Sequence, residues 1–268
     1  MTRAVPVGRV VRVGRVESTQ SVAFALAAEG AADGTVVVAD SQAAGRGRRG
    51  HAWLDEPGAS LLVSIVLRPR LEVARLPWLS LAAGVAVADT LAEVAGLGPR
   101  LKWPNDVLVG GRKIAGILLE SRLGPPPLVV LGIGVNLAQR AFPPELDGRA
   151  TSVALETGGD VDREALLGAL LEALDRQRDG LERGAFAEAR QRWCARSETL
   201  GRTVRIDGVS GVAIDIDDDG ALVVADGDQR RRVVAGEIAK RCSWSSRSAT
   251  PTPRSACTMV PACWCRGA

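Results

Sequence analysis

Arginines and glycines alternate in a short run near the start of the chain, Gly45-Arg46-Gly47-Arg48-Arg49-Gly50. Glycine lets a backbone approach a ligand closely, and arginine carries a permanent charge on a planar fork that suits phosphate. The run is therefore typical of a mobile loop that orders on an anionic ligand. It is also compatible with a solvated surface loop or a basic patch for nucleic acid, and it contains no Walker A pattern.

A lysine and an aspartate lie in the next two motifs. Residues 102–106 read KWPND and place Asp106 in a tight turn between apolar runs, and residues 112–118 read RKIAGIL. Lys113 opens a strand that is otherwise apolar, so its ammonium group points either into a cleft or out of the strand end. A lone lysine in that setting is commonly an edge residue that carries its charge to solvent on an apolar stem. Lys113 alone therefore leaves both interpretations open.

Two glycines interrupt a third apolar run, Gly132-Ile133-Gly134-Val135-Asn136. Glycines within a buried strand indicate close approach of a ligand or of another backbone. The pattern is not GxGxxG, so a dinucleotide-binding fold is poorly supported. Asn136 fits either a side chain that presents its amide to a base edge or one that simply ends the strand.

Apolar periodicity predicts the elements that position these motifs. Helices are expected from Ser18 or Thr19 to Gly30, from residue 76 to Gly96, and at 162–183 and 186–195. Strands are expected after an extended lead-in at 1–16, with a hairpin turn at Gly110-Gly111. The strand ranges are 35–39, 60–67, 101–103, 107–109, 113–120 and 128–135. The order indicates an α+β domain up to about residue 196.

A different pattern follows, with short β runs at 203–206, 212–216, 221–225 and 232–234 between Gly and Asp turns. This spacing is typical of a small β-barrel. We therefore divide the chain into a catalytic domain at 1–196, a small β domain at 197–241 and a tail at 242–268. The tail is rich in Ser, Arg, Pro, Cys and Trp without periodicity, and we expect it to be disordered. A frameshifted or read-through end would explain its composition.

Charge and composition exclude several classes of protein. The formal net charge is +3, and the tail holds three arginines and no acid, so subtracting three leaves residues 1–241 with no net charge. A nucleic-acid partner is therefore not indicated. Four of the five cysteines lie in the tail, at spacings that fit no CxxC zinc pair. No apolar run of about 18 residues and no signal-peptide pattern occurs, so we expect a cytoplasmic protein without a membrane partner.

Taken together and in this order, the motifs resemble those of biotin–protein ligases from about Glu17 to Arg241. The resemblance rests on Ser-Thr-Gln at 18–20, GRGRRG, KWPND, RKIAGIL, GIGVN and the closing Gly236-Glu237-Ile238. It implies a class II synthetase-like catalytic domain, with a mixed β-sheet and flanking helices, followed by a small SH3-like β-barrel. It also implies ATP-dependent formation of biotinyl-5′-AMP and transfer of biotin to a lysine of a biotin carboxyl carrier protein or domain, of acetyl-CoA carboxylase or a related carboxylase. Mg²⁺ is the implied cofactor, and the implied assembly is a monomer or a homodimer.

The resemblance also implies roles for individual residues. The catalytic candidates are Lys113, Arg48 and Asp106. Lys113 would bridge the biotin carboxylate and the α-phosphate, and Arg48 would hold the adenylate phosphate together with Arg46. Asp106 would orient the incoming lysine or contact metal. Ser18, Thr19 and Gln42 would bind the ureido head of biotin with the backbone of Gly116, and Asn136 with Gly134 would face adenine. Gln20 stands where the family usually has Asn, and its main chain is expected to serve. Gly45, Gly47, Trp53 and Gly132 complete the predicted binding residues. The full set of metal ligands stays unknown.

Three rival functions remain open on the sequence. A lipoyl or octanoyl transferase would share the fold but usually carries a His-containing signature, whereas His51 is expected to be a surface residue beside the arginines. A biotin-operon repressor needs a helix-turn-helix domain, and about sixteen residues before Ser18 are too few for one. A general nucleic-acid-binding module conflicts with the zero net charge of residues 1–241. Of the loop arginines, Arg49 is expected to face solvent.

Overall fold

The computed structural model describes residues 9–124 and 126–238, and the predicted disordered tail at 242–268 lies outside them. The strands are β1 (Val10–Val16), β2 (Val36–Gln42), β3 (Ser60–Leu67), β4 (Arg100–Lys102), β5 (Asp106–Val109), β6 (Arg112–Arg122), β7 (Leu128–Asn136), β8 (Thr203–Ile206), β9 (Val209–Ile216), β10 (Leu222–Asp226) and β11 (Gln229–Val233). The helices are α1 (Thr19–Ala28), α2 (Pro77–Ala95), α3 (Val153–Thr157), α4 (Arg163–Glu182) and α5 (Phe186–Ala195).

The larger sheet has seven strands in the order β1-β2-β3-β7-β6-β5-β4. β1 runs parallel to β2, and the other neighbouring pairs are antiparallel. The sheet is therefore mixed and flanked by helices, which confirms the predicted α+β class. In the centre of the sheet, the register pairs Leu62 with Gly134 and Gly134 with Gly116. These three residues consequently lie side by side on one face.

The opposite face of the sheet is covered by α2 and α4. Val63 of β3 belongs to the same buried cluster as Val85 of α2 and Leu170 of α4. By length and composition alone, the segment that contains α2 is apolar enough to cross a membrane. Its apolar side chains are largely buried against the sheet and α4, and a helix enclosed in this way is apolar nearly all round.

α1 covers only part of the face that carries the glycines. Ala23 and Ala27 of α1 pack on Val37, Val66 and Val130, at the end of the strands away from Asn136. The cleft described below opens over the rest of this face. The short helix α1 thus limits the part of the sheet that a ligand can reach, and its first residues, Thr19 and Gln20, form one edge of the cleft.

Most predicted elements are confirmed, with differences at their ends. α2 ends at Gly96, where φ is +65°, and the turn between β5 and β6 uses positive φ at both Gly110 and Gly111. α3 is absent from the prediction because a five-residue helix gives too little periodicity. Ser18 precedes α1 as predicted, but its side chain makes no capping hydrogen bond.

A second sheet of four strands, in the order β11-β10-β9-β8, follows with every pair antiparallel. The predicted small all-β unit is therefore confirmed, while its SH3-like form and the boundaries at residues 196 and 241 stay predictions. Two buried tryptophans attach it to the larger domain. Trp78 Nε1–H donates to the Asp218 carbonyl at 2.9 Å, and Trp103 Nε1–H donates to the Gly220 carbonyl at 3.4 Å.

Replacing Trp78 tests this attachment. Trp78→Phe removes the N–H donor and leaves the Asp218 carbonyl without it, which costs about 1–3 kcal/mol, with a further contribution from the smaller ring. We expect a lower free energy of unfolding in urea, measured by circular dichroism. An unfolding midpoint equal to that of the unsubstituted protein would contradict this account of the attachment.

Candidate active site

A cleft with a volume of about 460 Å³ opens over the glycine-bearing face of the seven-stranded sheet. The residues that the sequence predicts for the site line it, with the exception of Gly45. Gly45 instead lies behind the lining, where its carbonyl accepts the Trp53 N–H at 2.9 Å. A Cβ at Gly45 would lie 2.7 Å from the Trp53 carbonyl oxygen. The loop formed by residues 45–50, called the Gly/Arg loop below, therefore requires glycine at this position.

One end of the cleft is neutral and rich in hydrogen-bonding groups. Gln42 Oε1 accepts hydrogen bonds from the Thr19 backbone N–H at 2.8 Å and from the Thr19 hydroxyl at 3.1 Å. The Ser64 hydroxyl donates to the Thr19 hydroxyl oxygen at 2.8 Å. Since the Gln42 carbonyl oxygen accepts both hydrogen bonds from Thr19, the Gln42 NH₂ group points away from Thr19. Ser18 Oγ is buried and has no hydrogen-bond partner among the residues described. A buried polar atom of this kind commonly gains its partner from a bound water, ion or ligand.

Asp55 anchors Gln42 from outside the cleft lining. Its carboxylate accepts the Gln42 backbone N–H at 3.1 Å. Burial raises the pKa of Asp55, and the hydrogen bond from Gln42 offsets part of that rise. The hydrogen bond between the partly buried Asp55 carboxylate and the Gln42 N–H therefore helps to fix the position of Gln42 at the end of β2.

Gln20 and Arg46 meet at a carboxylate beside the neutral end. Glu120 Oε2 accepts from Gln20 Nε2 at 3.0 Å and from Arg46 Nη2 at 2.9 Å. Gln20 Oε1 is buried without a hydrogen-bond partner in the part of the chain that the structure covers. In this structure, Arg46 therefore lies over the neutral end, and its predicted contact with phosphate stays a prediction.

Trp53 and Gln20 occupy the space that the strand glycines leave on the sheet. A Cβ at Gly134 would lie 2.7 Å from Trp53 Cε2 and Cζ2, and a Cβ at Gly116 would lie 3.0 Å from Trp53 Cζ3. A Cβ at Gly132 would lie 3.1 Å from Gln20 Cδ. The glycines thus indicate close approach, as predicted, but the approaching groups are side chains of this chain rather than another backbone.

The other end of the cleft is cationic. Lys113 Nζ lies 2.5 Å from Asp106 Oδ1 and 5.8 Å from the centre of the Trp53 ring. Burial lowers the pKa of the Arg48 guanidinium, and the nearby Asp106 carboxylate offsets part of that shift. Lys113 therefore points into the cleft rather than out of the strand end. A partly buried cation interacts strongly with an incoming anion because the local dielectric constant is low.

The Gly/Arg loop also contacts the end of the small β unit. Arg48 Nη1 donates to the Gly236 carbonyl at 3.5 Å, Arg49 pairs with Asp207 at 2.9 Å, and His51 Nε2 lies 3.1 Å from Glu237. The expectation that Arg49 only faces solvent is wrong, since the half-exposed guanidinium has a partner in the small unit. His51 is mostly exposed, as expected, but it also lines the cleft mouth.

Asn136 lines the cleft at the Lys113 end, and the segment after it, residues 142–150, also lines the cleft and is called the flap. Asn136 Nδ2 donates to the Thr151 carbonyl at 2.9 Å, which fixes the amide plane. The segment 142–150 adds lining residues that the sequence did not predict: Phe142, Leu146, Gly148, Arg149 and Ala150. The Arg149 carbonyl accepts the Lys113 N–H at 2.8 Å, which brings this segment beside Lys113. A loop after the Asn136 strand was the available signal, but no composition marks it as a binding segment.

The arrangement suits an elongated ligand with a neutral polar head and an anionic tail that meets a second anion. The neutral end supplies amide and hydroxyl groups, the sheet under Trp53 carries no side chains at Gly116 and Gly134, and Lys113 and Arg48 lie at the far end. Among the residues described, no three His, Cys, Asp or Glu side chains form a metal-binding group.

This fold and cleft define an α+β ligand-binding domain with a small all-β unit at its C-terminal side. Residues 13–136 match the biotin/lipoate A/B protein ligase family, and residues 199–241 match the biotin protein ligase C-terminal domain. The chain is 40% identical over 237 residues to the biotin–[acetyl-CoA-carboxylase] ligase of Mycobacterium tuberculosis, covering 84% of this chain and 86% of the relative. The chain belongs to the biotin/lipoate A/B protein ligase family.

Further relatives agree in sequence and in structure. The biotin–[acetyl-CoA-carboxylase] ligase of Paracoccus denitrificans is 39% identical, over 84% of this chain and 97% of the relative. The bifunctional ligase/repressor BirA of Bacillus subtilis is 34% identical, over 83% of this chain and 71% of the relative. The biotin protein ligase from Aquifex aeolicus in complex with biotin and ATP superposes with a TM-score of 0.76 at 30% identity, over 86% of this chain and 97% of that one.

A methyl group on Gly134 tests the packing of Trp53 on the sheet. In Gly134→Ala the indole ring must move, and overpacking of this kind costs about 1–3 kcal/mol. Because Trp53 closes the base of the Gly/Arg loop, the loop should open roughly tenfold more often, and trypsin should cleave after its arginines correspondingly faster.

Gly14→Ala is the matched control, because a Cβ at this strand glycine meets nothing within 4 Å. Equal trypsin cleavage rates at the loop in Gly134→Ala and Gly14→Ala would refute the packing role of the glycine.

Proposed function

We propose that this cleft is where the chain joins biotin to AMP and then transfers biotin to a carrier protein. The observation that carries the proposal is the separation of a neutral hydrogen-bonding end from the Lys113–Arg48 cationic end across the strip of sheet at Gly116, Gly132 and Gly134. Within the biotin/lipoate A/B protein ligase family, the relatives at 39–40% identity are biotin–[acetyl-CoA-carboxylase] ligases, and the chain is a biotin–protein ligase by its likeness to them.

The reaction has two displacements. A carboxylate oxygen of biotin attacks the α-phosphorus of ATP, the bond to the β-phosphate oxygen breaks, and pyrophosphate leaves. The neutral ε-amine of a lysine then attacks the biotinyl carbonyl carbon, the bond to the phosphate oxygen breaks, AMP leaves, and the amine loses a proton. In the first step two anions meet, so fixed cations are needed where charge builds on the phosphate oxygens.

Lys113 and Arg48 supply those cations. Both are held at the cationic end before ligand arrives, Lys113 by Asp106 and Arg48 by the Gly236 carbonyl. Their preorganised position means that little reorganisation is needed in the transition state. Arg149 lines the cleft, its carbonyl accepts the Lys113 N–H, and its guanidinium would bind the outer phosphates.

Ser18, Thr19 and Gln42 would bind the biotin head at the neutral end. The ureido group carries two N–H donors and one carbonyl acceptor, and buried polar groups of both kinds lie there. A lipoyl head offers no N–H donor, so it would leave these groups unpaired, which discriminates strongly against a ligand. This chemistry favours biotin over lipoate within the family.

Asn136 would face adenine, since its fixed amide lies at the wall between Gly134 and the flap at 142–150. Trp53, with its buried Nε1 unpartnered among the described residues, would contact the chain of biotin or the adenylate. Asp106 would orient the acceptor lysine in the second step, because it is a carboxylate that lines the cationic end beside Lys113.

Mg²⁺ fits this site only as a companion of ATP. Mg²⁺ in nucleotide sites keeps several waters and binds one or two carboxylates with the phosphates, and Asp106 is a carboxylate in position to do so. Bound there, the metal would neutralise charge on the departing pyrophosphate. The carrier protein, the monomeric or dimeric state, a cytoplasmic location and the lack of nucleic-acid or membrane partners remain predictions.

Removing the Lys113 ammonium tests the adenylation step. We expect Lys113→Ala to fold and to lose roughly 10²–10³ in the rate of biotin-dependent pyrophosphate release, as for loss of one transition-state contact. Arg140→Ala is the control, because it also removes a cation that is paired with a carboxylate, in this case Asp160, outside the cleft lining. An unchanged rate in Lys113→Ala would refute the role of Lys113.

Shortening Arg48 tests retention of the intermediate. Arg48→Gly should retain the adenylate less well, because the loop loses its cation at the phosphate and its bond to Gly236. The measurement is the fraction of labelled biotin that remains with the protein after gel filtration. Arg231→Gly, an exposed arginine of β11, is the control, and equal retention in both variants would argue against a role for Arg48.

A further inference from the structure

We infer that Glu120 is a positioning residue for biotin recognition: its carboxylate fixes the Gln20 amide with the carbonyl oxygen turned toward the biotin head, and holds Arg46 over the same end. The inference rests on the proposed function, since it assigns the biotin head to the neutral end. Glu120 itself is absent from the cleft lining among the residues described. It therefore acts through the two residues that it holds.

Glu120 lies on the cleft face of β6, two and four residues beyond Leu118 and Gly116. Its side chain is 34% exposed, and one oxygen, Oε2, receives both hydrogen bonds. This single atom connects the start of α1 with the Gly/Arg loop, two segments that are separate in the sequence. Loss of the carboxylate would release both.

The surroundings of Gln20 fix which way its amide points. Nε2 is within hydrogen-bonding reach of three acceptors, Glu120 Oε2 at 3.0 Å and the carbonyls of Leu118 at 3.4 Å and Val130 at 3.5 Å. These groups cannot donate, so a flipped amide would bring its oxygen against acceptors. The charged Glu120 gives the strongest of the three bonds, so it determines the orientation.

The fixed orientation leaves Gln20 Oε1 as a buried acceptor on the cleft face. It lies 3.1 Å from the position of a Cβ on Gly132, directly over the glycine strip, and it has no hydrogen-bond partner among the residues described. The chemistry that matches it is an N–H donor on a compact, neutral ring. A cyclic urea such as the biotin head provides that donor, and a dithiolane or an alkyl head does not.

Arg46 gives Glu120 a second effect. Its ion pair with Glu120 offsets the arginine charge at the neutral end, while Arg48 and Lys113 share one carboxylate, Asp106, and leave the other end cationic. The same contact draws the Gly/Arg loop across the place of the biotin head. Glu120 thereby couples recognition of the head to closure of the loop.

The test compares Glu120→Gln with Glu164→Gln, which makes the same substitution at an exposed carboxylate paired with Arg12, outside the cleft lining. The amide introduced by Glu120→Gln carries an NH₂ group that can donate to the Gln20 oxygen, so the Gln20 amide is free to flip. Binding of biotin and of biotin methylated on either ureido nitrogen is measured by calorimetry, with thermal unfolding as the check on folding. KM for biotin and kcat are measured by pyrophosphate release.

We expect Glu120→Gln to raise the biotin Kd and KM roughly tenfold, the equivalent of about one lost hydrogen bond. The kcat at saturating biotin should change much less, and the Kd of the methylated biotin that already lacks the relevant N–H should hardly change. Glu164→Gln should behave like the unsubstituted protein. In Gln20→Met, the further change Glu120→Gln should raise the biotin Kd much less than it does when Gln20 is present.

Two results would overturn the inference. The first is an unchanged biotin Kd in Glu120→Gln, and the second is an equal weakening for biotin and for both methylated forms, which would indicate a general structural role. The unsubstituted protein separates this inference from the proposed function. If it does not bind biotin at all, the proposed function and this inference both fail, whereas normal biotin binding with an unaffected Glu120→Gln variant overturns only the inference.

Discussion

The strip of sheet without side chains at Gly116, Gly132 and Gly134 is the constraint on which the cleft depends. Antiparallel pairing of β6 with β7 brings these glycines together on one face, and a Cβ at Gly134 would displace the Trp53 ring. Trp53 can therefore lie flat on the strands, and through it the base of the Gly/Arg loop is held near the sheet. Because these glycines have no side chains, Trp53 and Gln20 can lie close to the strands, and the cleft and the Gly/Arg loop are positioned accordingly.

The two ends of the cleft differ in charge, and the loop arginines are divided between them. Arg46 is paired with Glu120 at the neutral end, Arg48 lies near Asp106 at the cationic end, and Arg49 is tied to Asp207 of the small β unit. One short loop thus contacts the head of the cleft, its reactive end and a second structural unit. This division explains how a loop that is basic overall can close on a ligand without filling the neutral end with uncompensated charge.

Much of this fold could be predicted from the sequence because its elements are strongly patterned. Periodic apolar residues and the stop at Gly96 predict the buried helix α2, and Gly110-Gly111 predicts the hairpin before Lys113. The motif glycines predicted a close approach correctly, but which group approaches depends on the pairing of β6 and β7, which single-chain periodicity does not encode.

Contacts between residues far apart in the chain could not be predicted from the sequence for the same reason. Nothing in the local sequence indicates that Glu120 meets Gln20 and Arg46, or that Arg49 meets Asp207, since these contacts join segments far apart in the chain. The flap at 142–150 was missed because an irregular loop has no period, although Arg149 lies beside Lys113 through its backbone. Sequence therefore predicted the residue types of the site well and their partners poorly.

The most direct measurement of the central claim is transfer of the acyl group to a carrier. The protein is incubated with MgATP, a biotin carboxyl carrier domain and either biotin, lipoate or octanoate, and the carrier is examined by streptavidin blotting and by intact mass. We predict a mass increase of one biotinyl group on a single lysine with biotin, and no modification with the other acids. Transfer of lipoate or octanoate without transfer of biotin would contradict the account.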